Sequence, residues 1–314
     1  MIPEVSIIMP LYNKQNHVFQ TLHCALEQTF SDFELIVIND GSTDESEAEV
    51  LRITDNRIRY FKTENQGVSA ARNLGISKAS SNLIAFLDAD DFWFPDHLEH
   101  LVQLHNDFPQ AGILAANYQL YYSEKETIDI TLVGLPDFPW RGIVPDYFAS
   151  SYVDRIAWTS AIAIPKKVLE DVGNFSEAIT LGAGEDLDLW IRVALKYQVA
   201  FDSKVTAQHN LSADNRISLT QTKHRKFATL DGFLAEEAKN KSLKKFLDLY
   251  RAEFALKMKI AGDDRYSLYR KAIAEENLSA KTKFLLSLPT TILQLLYRFK
   301  KVLEKRKIRL SAYH

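Results

Sequence analysis

The chain has 314 residues, 46% of them hydrophobic and 25% charged, which suits one large soluble domain with a smaller appendage and a sizeable core. A formal net charge of -3 argues against a surface built for nucleic acid, and no nucleic-acid partner is expected. The single cysteine, Cys24, excludes an internal disulfide. No apolar run of about 18 residues predicts a membrane span, and the first residues lack a secretory pattern, so the expected compartment is the cytoplasm.

Residues 5–9 read as a buried strand, 16–28 as a helix, 33–39 as a strand, 44–53 as a helix, 58–61 as a strand, 69–79 as a helix and 83–87 as a strand. This rhythm predicts an α/β fold with a mostly parallel central sheet flanked by helices. Further on, 113–122 reads as a strand and 123–150 as loop, with Pro136, Pro139 and Pro145. Residues 161–164 then read as a strand, 168–172 as a helix, 186–195 as a strong helix and 199–201 as a strand. Residues 222–308 are rich in Lys, Arg, Glu, Leu and Phe and read as a helical appendage.

Turn chemistry follows three of the strands, at Pro10-Leu11-Tyr12-Asn13, Asp40-Gly41-Ser42-Thr43-Asp44 and Asp88-Ala89-Asp90-Asp91. Ligands of open α/β sheets bind outside the carboxyl ends of the strands, so these clusters predict one site. Asp40 at a strand tip can accept a hydrogen bond from a nucleobase or ribose, or else serve with Asp44 as a turn and cap residue, with Ser42 or Thr43 as a further cap. The carboxylates of Asp88, Asp90 and Asp91 repel one another unless something neutralises them. A divalent cation shared with a diphosphate does so, while an acidic helix cap before Phe92-Trp93 is the plainer reading.

In the 64–75 segment, small residues let a helix pack closely, and Arg72 can reach a diphosphate or pair with the acidic cluster. Gly184-Glu185-Asp186-Leu187-Asp188 places acids in a first helical turn. The helix dipole alone favours that, but Glu185 or Asp186 can also deprotonate an acceptor hydroxyl. His209 follows a strand and is a structural histidine or a further metal ligand.

Taken together, these segments resemble the family 2 glycosyltransferases, inverting enzymes with a GT-A fold. The matching pieces are 10–13, 37–44, 65–75, 87–91 and 184–190, in the family's order, and the likeness covers about residues 3–212. The resemblance implies that Pro10, Tyr12 and Asp40 bind the nucleoside, with Asn13 and Gln66 beside them. It places Asp88, Ala89, Asp90 and Arg72 at the diphosphate, and Trp158 with Thr159 and Ser160 near the sugar. Asp90 becomes the more direct ligand of Mn²⁺ or Mg²⁺, with Asp88 near the ribose and His209 close to the metal. Asp186 becomes the base, with Glu185 next in line. A nucleotide-sugar donor, UDP-linked, and a saccharide or lipid-linked saccharide acceptor follow. The expected division is a GT-A catalytic domain over 1–218 and a helical C-terminal region over 219–314.

Residues 284–297 are apolar but too short to span a bilayer. Arg298, Lys300, Lys301, Lys305, Arg306, Lys307 and Arg309 follow. That pattern suits docking at an anionic membrane surface, at the inner face of the cell membrane; a helix packed on the catalytic domain or on a second copy is the alternative. Competing functions are a nucleotidyltransferase, a catalytically silent binding module and a scaffold subunit. The first needs a glycine-rich phosphate loop, and residues 9–16 contain no glycine.

Overall fold

The computed structural model describes residues 2–216 and 221–305, without the side chains of 302, 304 and 305. Arg306, Lys307 and Arg309 of the basic tail lie outside the described residues.

Strand β1 (Val5–Leu11) leads through α1 (Val18–Leu26) to β2 (Phe33–Asp40). Helix α2 (Ser46–Leu51), β3 (Ile58–Thr63), α3 (Val68–Lys78) and β4 (Leu83–Phe86) complete the first half. A short β5 (Phe92–Trp93) and α4 (His97–Asp107) precede β6 (Ala111–Ser123). The stretch expected as loop carries β7 (Glu126–Asp129), β8 (Arg141–Ile143) and the single-turn α5 (Tyr147–Ser150). Then come β9 (Ile162–Pro165), α6 (Lys166–Val172), α7 (Glu185–Lys196) and β10 (Gln198–Asn210). The C-terminal region folds as α8 (Leu234–Glu237), α9 (Lys241–Ala261), α10 (Tyr266–Lys271), α11 (Ala280–Ser287) and α12 (Thr290–Lys305).

Ten strands among the described residues form one mixed sheet ordered β3-β2-β1-β4-β9-β6-β10-β5, with β7 on β6 and β8 on β10. β1 to β4 run parallel; β9 is antiparallel to β4 and β6, and β10 is parallel to β6. The carboxyl ends of β1, β2, β4, β6 and β10 therefore lie on one edge.

The buried strands read as continuous apolar runs because both faces are covered. Ile8, Ile36, Ile38, Ile84 and Phe86 pack into one core with α3, α6 and α7. Ile7, Met9, Leu35, Val37 and Ala85 pack into the other with α1 and α4. Strand alternation accounts for the split. Helix α3 approaches β1 so closely that a Cβ on Gly75 would stand 2.4 Å from Ile8 Cγ2, which only glycine tolerates.

Neither β5 nor α4 is expected from the sequence pattern, and β10 runs far past 199–201. Its register shifts between Asp202 and Ala207, and such bulges break the period-2 signal of a strand. The helix-cap account of the acidic cluster fails, because Phe92–Trp93 is a strand rather than a helix start. Nor do Ser42 and Thr43 cap α2. Asp44 Oδ1 accepts from Ser46 N at 3.0 Å, while Ser42 Oγ accepts from Asn13 N.

Helix α9 is buried along much of its length. Its Phe246, Tyr250 and Phe254 share a core with Tyr147, Phe148, Ala183 and Leu187. At the far end, Leu293 of α12 is buried and Gln294 Nε2 donates to Ile260 O at 2.9 Å, whereas Ile292, Leu295, Leu296 and Phe299 are exposed. Among the described residues no helix is long and apolar enough to cross a membrane.

Candidate active site

The first part of the edge is a staple between the loops after β1 and β2. Asn13, at φ 52°, accepts from Thr43 N at 2.8 Å through Oδ1 and donates its own N–H to Ser42 Oγ. Asp40 is buried at the tip of β2, and its two oxygens accept the N–H groups of Gln66 and Gly67, each at 2.8 Å. Asp40 thus fixes the loop before α3. Gly41 makes the turn beside it with φ +71°, and a Cβ there would meet Asn65 N at 2.7 Å. Pro10 is on β1, Tyr12 is exposed, and the Gln66 side chain is exposed.

The acidic cluster follows β4. Ala89 is buried and its carbonyl accepts from Thr21 Oγ1. Asp91 is enclosed, taking hydrogen bonds from Ser160 Oγ at 2.6 Å and Asn210 N at 2.9 Å. Burial, with the charges of Asp90 and Asp88, pushes its carboxyl well above the usual range. Asp91 is therefore the brace of the cluster, tying the turn to β10 and to the short turn before β9.

Asp90 pairs with Lys14, Nζ to Oδ2 at 2.6 Å, and burial raises its carboxyl above the ordinary value while Lys14 opposes this. The same ammonium donates to Asn215 O at 3.1 Å. Lys14 was not expected at the site from sequence. A lysine in a turn three residues past a strand carries no signal until the fold sets it against a residue 76 positions away.

Arg72, buried on α3, joins the two halves of the site. Its Nη2 donates to Asp88 Oδ1 at 2.7 Å and its Nη1 to Glu185 Oε1 at 3.3 Å, with the guanidinium 5.2 Å from the Phe175 ring centroid. Glu185 is 5% exposed and its Oε2 has no hydrogen-bond partner. Burial, reinforced by the Asp186 charge and opposed by Arg72, pushes Glu185 up to about 7. Asp186, with its side chain 20% exposed, accepts from Leu187 N through Oδ1 and meets Arg155 Nη1 at 3.3 Å through Oδ2. Arg155 too was missed from sequence, since it lies in an irregular stretch.

Trp158 packs against Tyr118 (ring centroids 4.6 Å apart, tilted) and His209 (4.9 Å, stacked). Burial lowers His209 to about 4, so its imidazole is neutral at neutral pH.

Asp88 and Asp90 could offer oxygens to a divalent cation. Asp88 commits Oδ1 to Arg72 and Asp90 commits Oδ2 to Lys14, which leaves one oxygen of each outside these pairs. Hard carboxylate oxygens suit Mg²⁺ or Mn²⁺. Among the described residues no three His, Cys, Asp or Glu side chains converge as a metal cage. The donor set fits a cation that completes its shell with phosphate oxygens and water, the habit of Mg²⁺ on one or two carboxylates.

The sheet edge thus gathers an acidic turn, an arginine bridge and an acidic helix start. The family profile described as Glycosyl transferase family 2 matches residues 6–172, more than half of the chain, and the chain belongs to that family. It is 33% identical over 226 residues to an uncharacterized glycosyltransferase of Rickettsia bellii, covering 70% of this chain and 31% of that protein. It is 38% identical over 118 residues to glycosyltransferase GlyA of Streptococcus pneumoniae, covering 37% of this chain and 17% of that one. The chain thus spans about a third or less of the length of these relatives. The crystal structure of S. aureus TarS 1-349 in complex with UDP-GlcNAc superposes with a TM-score of 0.60 at 16% identity, covering 97% of this chain and 92% of that one. The same TarS segment with UDP gives 0.54, covering 94% and 91% at 17% identity. The fold is GT-A.

Proposed function

We propose that this chain is the catalytic unit of an inverting, metal-dependent glycosyltransferase. It moves a hexose-type sugar from a UDP-sugar to a hydroxyl of a saccharide or lipid-linked saccharide, in surface polysaccharide or glycan assembly. The observation that carries this reading is the Arg72 bridge, which brings Asp88 of the acidic turn and Glu185 of the α7 start to one point. The binding of UDP-GlcNAc by the similar TarS supports a UDP-linked donor.

In the reaction, the acceptor oxygen attacks the anomeric carbon as its proton passes to Asp186. The bond from that carbon to the diphosphate oxygen breaks and UDP departs, so one displacement inverts the centre. Asp186 is the better base of the pair because it reaches solvent, whereas Glu185 is enclosed. A divalent cation held by Asp88 and Asp90 would stabilise the charge of the departing diphosphate. Lys14 and Arg72 add fixed positive charge beside it.

The reading extends to location. Ile292, Leu295, Leu296 and Phe299 follow an i, i+3, i+4, i+7 spacing on the exposed side of α12, next to Arg298, Lys300 and Lys301. This amphipathic helix suits peripheral docking on the cytoplasmic face of an anionic membrane, where a lipid-linked acceptor resides.

The test is thermal stabilisation by UDP with and without Mn²⁺. Wild type gains a Mn²⁺-dependent shift that vanishes in Asp90→Ala. Equal stabilisation of wild type and variant refutes the metal assignment, and a wild type indifferent to UDP, to UDP-sugars and to other nucleotide-sugars refutes the donor class.

A further inference from the structure

Asp186 is held from outside its own helix. Arg155, whose Nη1 stands 3.3 Å from Asp186 Oδ2, lies between α5 and β9 in a stretch without regular structure. A residue in such a stretch keeps its place only through tertiary contacts. Two elements supply them. From β6, the Tyr118 hydroxyl donates to the Arg155 carbonyl at 3.2 Å. From α9, the Tyr250 ring lies under the guanidinium, 5.0 Å from centroid to Cζ.

Tyr250 is itself fixed. It is buried, with the Phe246 ring edge-on at 4.9 Å and Phe254 at 6.3 Å. Three residues on, Glu253 is held by Lys257 at 2.6 Å, and its charge acts on the same guanidinium. Arg155 is therefore set between an acid of α7 and an aromatic face of α9. A guanidinium confined in this way restricts the plane in which a facing carboxylate sits.

We propose that Arg155 is a positioning residue for Asp186 and that Tyr250 of α9 seats it, so that the C-terminal helical region forms part of the catalytic apparatus. The inference rests on reading Asp186 as the base. The aromatic face of α9 holds the arginine, and the arginine orients the carboxylate that receives the acceptor proton. Misplacement of a reacting group by about 1 Å can cost about a hundredfold in rate, so the seat matters without touching substrate.

The test uses the full chain and UDP release from a panel of UDP-hexoses and UDP-N-acetylhexosamines, with water as acceptor. Constants are read on the donor that wild type turns over fastest. Arg155→Met lowers kcat by about ten- to a hundredfold while the donor KM and the thermal shift with UDP stay within about twofold. Arg155→Lys, which keeps the charge and loses the fork, recovers part of kcat. Tyr250→Leu lowers kcat in the same direction with KM unchanged. Should Arg155→Met fail to fold, Arg155→Lys and Tyr250→Leu decide. A kcat within about twofold of wild type in both overturns the proposal, as does a loss of kcat that always comes with a lost UDP shift. Asp186→Asn separates the two ideas. If it turns over normally, the base reading itself falls; if it is inactive while Arg155→Met is unimpaired, only the positioning role falls.

Discussion

Glu185→Gln tests the enclosure of the α7 start. The carboxyl of Glu185 is raised from an ordinary 4.5 to about 7, chiefly by burial. That difference corresponds to about 3 kcal/mol between its neutral and ionised forms. Below 4.5 the group is protonated in both folded and unfolded chains and contributes no pH-dependent term. Between 4.5 and about 7 the unfolded chain ionises while the folded one holds its proton, so stability falls by about 1.4 kcal/mol per pH unit. Above that window both forms are ionised and the full cost persists.

Glutamine keeps the shape and has no proton to lose. Its amide oxygen can still accept from Arg72 Nη1, and Asp88 remains on the guanidinium at 2.7 Å, so the change at Arg72 in the variant does not vary with pH. The expected outcome is that Glu185→Gln gains on wild type as pH rises from about 4.5 to about 7.5. The gain totals on the order of 3 kcal/mol, or on the order of 5 °C in thermal midpoint. Parallel thermal or urea unfolding of the two proteins across that range measures it. A stability difference that stays flat with pH would refute the argument that burial holds Glu185 protonated.

Two further outcomes follow from the cations around the site. Lys14→Met removes the ammonium that competes for Asp90 Oδ2 at 2.6 Å. The Mn²⁺ concentration for half-maximal UDP-dependent stabilisation should drop by about tenfold, the ratio that about 1.4 kcal/mol gives; an unchanged or higher midpoint contradicts competition between the two cations. On α12, replacing exposed Leu295 and Phe299 by Glu should abolish flotation with vesicles containing anionic phosphatidylserine while leaving the thermal midpoint nearly unchanged. Equal flotation of both proteins excludes the membrane surface, and a change of oligomeric state instead assigns the stripe to a second copy.

Much of the fold was legible because its signals are local. Val5–Leu11, Phe33–Asp40 and Leu83–Phe86 are mostly apolar and buried on both faces, and each is followed by turn residues, so the parallel core and the edge where the turns gather follow from pattern alone. Helix α4 is a different case. Its Leu98, Leu101 and Val102 have helical spacing, but the acidic motif just before it draws the eye to a cap that does not exist. Strand β10 was cut short because the bulge near Asp202 to Val205 interrupts alternation, and β5, β7, β8 and α5 are too short to show a period.

The site divides in the same way. Which residue types gather at the edge was written in the chain: Asp40, Asp88, Asp90, Glu185 and Asp186 all end or follow a strand or open a helix. Apart from the pairing of Arg72 with the acidic cluster, their partners were not. Arg72 reaches Glu185 across 113 positions, Arg155 reaches Asp186 across 31, and Lys14 reaches Asp90 across 76. Pairing of charges depends on distance in space, and only the packing of strands, loops and helices around one sheet sets that distance. By itself the sequence determined the class of chemistry. The tertiary structure decided which carboxylate is enclosed, which faces solvent and which cation each one meets.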